Sequence, residues 1–388
     1  MDRYTLTNKH KAIVRLISWG ASIQSIKVPN RDGKLADVVL GFDDMDGYLK
    51  NRYMGSIIGR VANCISGSSM HLDNVIYPLS INDGTGKDRF NGGTVAFDNA
   101  NWQSQIVNNR VVRCNLFPEI FFDEVMSHLS RSYSQGFPGD VLVQIKYAWT
   151  NDNQLHINIR ATSTSFTPVN ITNYCLFNLA GHGSGSKELK KHVLTVNADS
   201  CIFVDVKNNL PTNITCPVDG TTCELRLPVQ LNQRRLSSIP GGGYNHYLCI
   251  NSPSCWCYRF HARILHPTSG RFLEVYSNHP GLRVYTGNEL PDQRVYPPDL
   301  EDYKWRGCEN AQINSLKSVN CMKEIAKRNA TEVYGKEGVP YRRHGGFVLS
   351  PQNYPTAVNI EHFPSCILYP GKIYMHDMTY KFGVFFKD

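Results

Sequence analysis

The sequence predicts an all-β protein, a large antiparallel β-sandwich with a short helical insertion. Three observations carry this. Short runs of alternating apolar and polar residues recur along the chain, separated by Gly, Pro, Asn and Asp. Aromatic residues make up 11% of the chain and include 20 Tyr, which suits the half-buried surface of a pleated sheet. Only one stretch carries sustained helical periodicity, so the many strands have to pack on one another.

In chain order, residues 12–28 read as strand, with Ile23, Ile26 and Val28 alternating loosely and Gly20 and Pro29 as breaks. Asn30-Arg-Asp-Gly33 is a tight turn between strands. Residues 37–42 (D-V-V-L-G-F) form the next strand. The same pattern returns at 70–80, 101–116, 140–149 and 154–162, with Gly136-Phe-Pro-Gly139 as a turn before V-L-V-Q-I-K-Y-A-W. Residues 168–185 begin as a strand and end in Gly181, Gly183 and Gly185. Asn170, Thr172, Asn173 and Asn178 inside that run would be costly to bury without partners, so one face of it is expected to line a polar cavity or to lie at a surface edge. Residues 309–328 place Ile313, Leu316, Val319, Met322, Ile325 and Ala326 on one side of a helix, with Lys317, Lys323, Lys327 and Arg328 on the other.

The 388 residues carry 41% hydrophobic and 19% charged side chains, enough for a large core and too apolar for disorder. No internal repeat or linker-like shift divides them, and a single domain spanning 1–388 is expected. The formal charge of +8 is spread along the chain and singles out no nucleic-acid site. No run approaches the length of a membrane span, and the N-terminus lacks an apolar leader. A cytoplasmic chain without membrane contact follows, with its 12 Cys as free thiols. No cysteine spacing suits zinc, and no cofactor is expected.

Six stretches carry a family resemblance. They are residues 20–44 (G-A-S-I-Q-S-I-K-V-P-N-R-D-G-K-L-A-D-V-V-L-G-F-D-D), 55–63 (G-S-I-I-G-R-V-A-N), 167–185 (T-P-V-N-I-T-N-Y-C-L-F-N-L-A-G-H-G-S-G), 241–246 (G-G-G-Y-N-H), 267–288 (P-T-S-G-R-F-L-E-V-Y-S-N-H-P-G-L-R-V-Y-T-G-N) and 346–359 (G-F-V-L-S-P-Q-N-Y-P-T-A-V-N). In this order they resemble the galactose mutarotases, or aldose 1-epimerases. The resemblance implies a mutarotase-like supersandwich with an open carbohydrate cleft. It also implies that residues 289–334, longer than the family's connection, are an insertion holding the helix.

Aldose epimerisation needs a base for the anomeric hydroxyl and an acid for the ring oxygen, each worth ~10²–10⁴-fold. The resemblance places the family's acid, a His, at Tyr174 and its base, a Glu, at Ser350. Neither replacement is an easy proton carrier: a phenol has a pKa near ~10, and a serine hydroxyl needs an activating neighbour. The implied sugar-binding positions are Asn63, Cys64, Asn91, Asn245 and His279, of which Asn63 alone keeps the family's residue. The groups to weigh as stand-ins are His182, His246, His279 and His344, the carboxylates Asp205 and Glu274, and the Cys64 thiol if a cation lowers its pKa; the default reading of each His is a hydrogen-bonded structural residue and of Cys64 a buried inert thiol. The sequence therefore leads to the expectation of a catalytically inactive relative with a structural or interaction role. Its basic surface and the helix 309–328 would meet a protein partner such as an acidic microtubule lattice. An aldose 1-epimerase with relocated proton-transfer groups and a non-catalytic sugar-binding protein, both with a hexose as ligand, are the alternatives.

Overall fold

The computed structural model describes residues 1–82, 88–107, 122–205, 210–252, 256–291 and 332–386. Three antiparallel sheets of four, nine and five strands dominate. The four-stranded sheet runs Arg3–Thr7, Ile13–Ile17, Ser22–Pro29, Leu35–Asp37 in sequence order. The nine-stranded sheet is centred on Val141–Trp149, Gln154–Ser163, Tyr374–Val384 and Arg271–Ser277. The five-stranded sheet has the order Leu210–Pro217, Ala198–Asp205, Asn245–Ile250, Gly281–Tyr285, Val348–Gln352.

Strand period explains the layering. In Val141–Trp149 the odd positions Val141, Val143, Ile145, Tyr147 and Trp149 are buried, while Leu142, Gln144 and Lys146 are exposed, because successive side chains leave opposite faces of a strand. The buried set joins Val14, Leu16 and Ile23 of the four-stranded sheet and Leu248, Leu282, Val284 and Leu349 of the five-stranded sheet in one core. Each such aliphatic side chain contributes ~1.5–3 kcal/mol on burial. The buried rings keep their polar atoms satisfied: the Tyr147 hydroxyl donates to the Ala21 carbonyl at 2.6 Å, and Trp149 Nε1 donates to the Ala12 carbonyl at 3.1 Å.

Two local expectations need correction. The strand foreseen over 37–42 stops at Asp37, and beyond it Val39 makes a single bridge to Phe177. The run 168–185 is not a surface edge, and its side chains Asn170, Thr172, Asn173 and Asn178 do not line a polar cavity. Its polar side chains are buried and used as ties. The Asn170 Oδ1 accepts from Asn353 N at 2.9 Å, Asn173 Nδ2 donates to the Gly55 carbonyl at 2.8 Å, and Asn178 Nδ2 donates to the Gly345 carbonyl at 3.0 Å. Buried amides are tolerated because each finds a backbone partner. The helix expected over 309–328 lies outside the described residues. The chain is anchored again at Lys336, whose Nζ sits 2.6 Å from Asp37 Oδ2 in a buried ion pair. Among the described residues, no helix is long and apolar enough to cross a membrane.

Candidate functional site

Strand register builds the site. Arg283 lies opposite Tyr247 on one neighbouring strand and Ser350 on the other, and Tyr285 lies opposite Asn245 and Val348. Since Leu282 and Val284 enter the core, Arg283 and Tyr285 project from the other face. Residues Tyr247, Arg283 and Ser350 thus form one row across three strands, with Asn245 and Tyr285 one step along.

Tyr174 comes to this row from the short strand Thr172–Asn173, which pairs with Ile57–Ile58. Its ring lies 6.1 Å from that of Tyr285 and 6.4 Å from that of Tyr53. The Arg283 guanidinium stands 5.3 Å from the Tyr174 centroid, 5.5 Å from Tyr285 and 5.9 Å from Tyr247. Its Nε and Nη2 both donate to Asn245 Oδ1, at 3.1 and 2.9 Å. A cation ringed by three aromatic faces is held by their quadrupoles.

The loop side supplies the rest. Asn63 and Asn91 both take positive φ, at 71° and 47°, a region that Asn tolerates better than most residues. Asn63 N donates to Asn91 Oδ1 at 3.0 Å, and Asn91 N donates to the Asn63 carbonyl at 2.8 Å. The Tyr247 hydroxyl donates to Asn63 Oδ1 at 2.8 Å. Asn63 Nδ2 is buried without a hydrogen-bond partner among the described residues, so one donor there is left for something else to accept. Cys64 is wholly buried, and its backbone N–H donates to Asn63 Oδ1 at 2.8 Å.

Six of the seven positions named from the sequence, Asn63, Cys64, Asn91, Tyr174, Asn245 and Ser350, therefore belong to one connected region. His279 is the exception. It is fully buried and stacks on His376 at 3.6 Å, with Trp256 and Tyr374 edge-on. Burial holds its pKa well below the usual imidazole value, and the neighbouring His376 adds to this.

The proposed stand-ins lie apart from the row. His182 contacts the Tyr341 hydroxyl at 3.1 Å, and His344 Nδ1 faces the Thr286 carbonyl at 2.8 Å. Burial pushes His246 down to about 4, and its Nδ1 accepts from Asn245 N. Glu274 is engaged with Lys381 and Arg263 on the nine-stranded sheet. Asp205 ends the strand next to Asn245–Ile250, where it pairs with Leu210 on the other side.

The electrostatics separate the two candidate proton carriers. Burial raises the Tyr174 phenol to about 12, against the lowering effect of Arg283, so it keeps its proton at neutral pH. Ser350 Oγ lies 2.8 Å from Thr172 Oγ1, which itself donates to the Pro351 carbonyl at 2.5 Å. The Thr172 proton being committed, Ser350 donates to Thr172 and keeps only acceptor capacity. Arg283 stays charged: burial opposes its charge, yet its pKa lies above the usual guanidinium value, and the Glu289 carboxylate supplies an opposite charge. Glu289 is exposed just beyond the end of the strand Gly281–Tyr285, and its backbone N–H donates to the Tyr285 hydroxyl at 2.9 Å. Its negative charge reaches Tyr174, Tyr285 and Arg283.

Arg283, Tyr247, Tyr285 and Glu289 were not singled out from the sequence. The alternation in G-L-R-V-Y was the available signal, since it puts Arg283 and Tyr285 on the face opposite Leu282 and Val284.

The comparisons agree with this architecture. A family model described as aldose 1-epimerase matches residues 2–381. Galactose mutarotase from Bos taurus is 35% identical over 96% of this chain and 91% of its own length, and that from Homo sapiens is 34% identical over the same shares. An aldose epimerase homologue from C. elegans superposes with a TM-score of 0.76 at 24% identity, covering 99% of each chain. These relatives overturn the expectation of an inactive protein carried on a cytoskeletal lattice. Chains alike over nearly the full length bear the name of a sugar-isomerising enzyme. The helix invoked as a partner contact lies outside the described residues. With a family model spanning nearly every residue and mutarotase relatives at a third identity, the chain belongs to the aldose 1-epimerase family.

Proposed function

We propose that this protein is an aldose 1-epimerase that interconverts the α and β anomers of a hexose such as galactose. The observation that carries the reading is the 34–35% identity to galactose mutarotases over 96% of the chain. Asn63 Nδ2, buried without a partner among the described residues, supports a ligand with acceptor oxygens, as a sugar hydroxyl has.

The residues of the row suggest how the protons move. Ring opening needs a proton delivered to the ring oxygen while another is taken from the anomeric hydroxyl. Tyr174 holds a proton, and Arg283 over its ring stabilises the phenolate that transfer leaves behind. With its pKa near 12, Tyr174 donates only in step with removal of the anomeric proton. Glu289 is the carboxylate whose charge is felt at Tyr174, and we assign it the base. Ser350, Asn245, Asn63 and Asn91 hold sugar hydroxyls.

Saturation-transfer NMR between the two anomeric protons of galactose, and of glucose, tests the reading. The purified protein should speed exchange above the buffer rate in proportion to its concentration. Exchange at the buffer rate for both sugars would contradict it.

A further inference from the structure

A groove lies between Trp256 and the turn that leads into the last strand, Tyr374–Val384. Ile367–Leu368 pairs with Thr167–Pro168, the chain turns back at Pro370-Gly371, and Tyr374 enters the nine-stranded sheet opposite Ala161. Gly371 takes φ 77°, and Lys372 N donates to the Tyr369 carbonyl at 3.0 Å, which closes the turn. Trp256 stands edge-on to the buried ring of His279 with centroids 5.1 Å apart, and Tyr374 packs edge-on to the same ring at 5.6 Å. One buried imidazole thus props two aromatic side chains of the groove. Its volume is about 330 Å³, at the lower end of the ~300–1,000 Å³ of small-molecule sites. None of its lining residues belongs to the row around Arg283.

Val169, Cys366 and Leu368 line the groove and are buried. Trp256, Tyr369, Ile373 and Met375 line it too and are 43%, 58%, 61% and 53% exposed. Four large apolar side chains left in water around one groove mark a binding surface, whereas single ones need no explanation. The polar groups sort by what they can still bond. Asn278 is spent: its Nδ2 donates to the Met375 carbonyl at 3.1 Å, and its Oδ1 accepts from Asp377 N at 2.9 Å. The Tyr374 hydroxyl is spent on Ile171, accepting from its N at 3.0 Å and donating to its carbonyl at 3.3 Å. The remaining strong hydrogen-bonding groups are the Ser365 and Tyr369 hydroxyls, the Trp256 indole N–H and the Lys372 ammonium, of which the last two only donate. Among the described residues no Asp or Glu lines the groove, and Lys372 makes no ion pair.

We propose that this groove binds an aromatic carboxylic acid of about two-ring size. The volume is roughly twice the ~150 Å³ that holds one benzene molecule in an apolar cavity. Three rings, those of Trp256, Tyr369 and Tyr374, line it and favour a flat body, which aromatic faces and edges meet in offset or edge-on contact. Such a body also takes the exposed surface of Ile373 and Met375 out of water. The head group follows from the donors. A carboxylate accepts from Lys372 and from the indole N–H, and charge-assisted bonds of this kind are stronger than neutral ones. A cationic head would meet Lys372 with no carboxylate in the lining to offset the repulsion. A neutral head would leave the ammonium charge unused.

Calorimetric titration of the full chain with 2-naphthoate tests the site. The expected result is saturable binding of one molecule per chain, at least tenfold tighter than that of the neutral amide, 2-naphthamide. Trp256→Ala and Lys372→Gln should each weaken binding at least tenfold. Both side chains are exposed, so neither change threatens the fold. Tyr174→Phe should leave binding unchanged. The proposal is overturned by the absence of saturation at millimolar 2-naphthoate, by equal binding of the amide, or by tighter binding of decanoate than of 2-naphthoate. It is equally overturned by an affinity that Trp256→Ala or Lys372→Gln leaves intact, or by one lost in Tyr174→Phe, which would put the ligand at the row instead. Sedimentation equilibrium without ligand covers the other occupant: a dimer that Trp256→Ala dissociates would give the groove to a second copy of the chain and overturn the proposal as well.

Discussion

At the scale of single residues, the account turns on Tyr174 and the groups that tune it. Phenylalanine at this position removes the hydroxyl and keeps the ring that packs on Tyr285 and Tyr53. Tyr174→Phe should therefore lower the anomerisation rate by ~10²-fold or more and leave the urea midpoint nearly unchanged. A matched fall in both would mean that the ring is structural only. The pH dependence has a defined sign. The phenol loses its proton only near 12, so the rate should not fall between pH 7 and 10 through loss of this acid. A falling limb inside that interval that disappears in Tyr174→Phe would refute the assignment. The family motifs named Tyr174, Asn63, Asn91, Asn245 and Ser350 by position, as places where the family's proton carriers and sugar contacts would stand. Arg283 was not legible in this way, because only the strand register shows that it stands between Tyr247 and Ser350.

At the scale of elements, hydrogen-bonding partners decide what a polar residue is for. Composition alone suggested that residues 168–185 lined a cavity or lay at a surface edge, because four amides or hydroxyls in a strand look unaffordable in a core. Their partners lie far away in sequence, at Gly55, Gly345, Ser350 and Asn353, and no local pattern announces such long-range ties. The buried pair Lys336–Asp37 works in the same way. It fixes the return of the chain after residue 331 against the four-stranded sheet, and Lys336 Nζ also donates to the Gln24 carbonyl at 2.9 Å. Lys336→Ala leaves Asp37 buried without its counter-charge and should cost ~3–5 kcal/mol, read as a lower midpoint in chemical denaturation. A midpoint within error of wild type would show that the pair is dispensable.

At the scale of the whole molecule, the alternating runs were enough to predict the all-β class and the strands Val141–Trp149 and Gln154–Ser163, since period-2 patterning is set by which face meets the core, but the longest strand, Tyr374–Val384, was not named. The division into four-, nine- and five-stranded sheets was not foreseen, because strand order depends on long-range pairing that leaves no local mark. One buried charge should be visible in global stability. Glu124 is 1% exposed, its Oε1 has no hydrogen-bond partner among the described residues, and burial raises its pKa to about 7. The folded state then binds a proton that the unfolded chain has released. This group's contribution is intact below the unfolded value near 4.5 and is lost as pH climbs to 7, by about 3 kcal/mol at most. Glu124→Gln should flatten that part of the stability curve, and an unchanged slope would place the origin elsewhere.

The central claim is that the site around Tyr174 turns over a hexose, and polarimetry on freshly dissolved α-galactose tests it most directly. The account predicts that the rotation decays faster than in buffer, first order in added protein, with the acceleration lost in Tyr174→Phe. Decay at the spontaneous rate with folded wild-type protein present would contradict it.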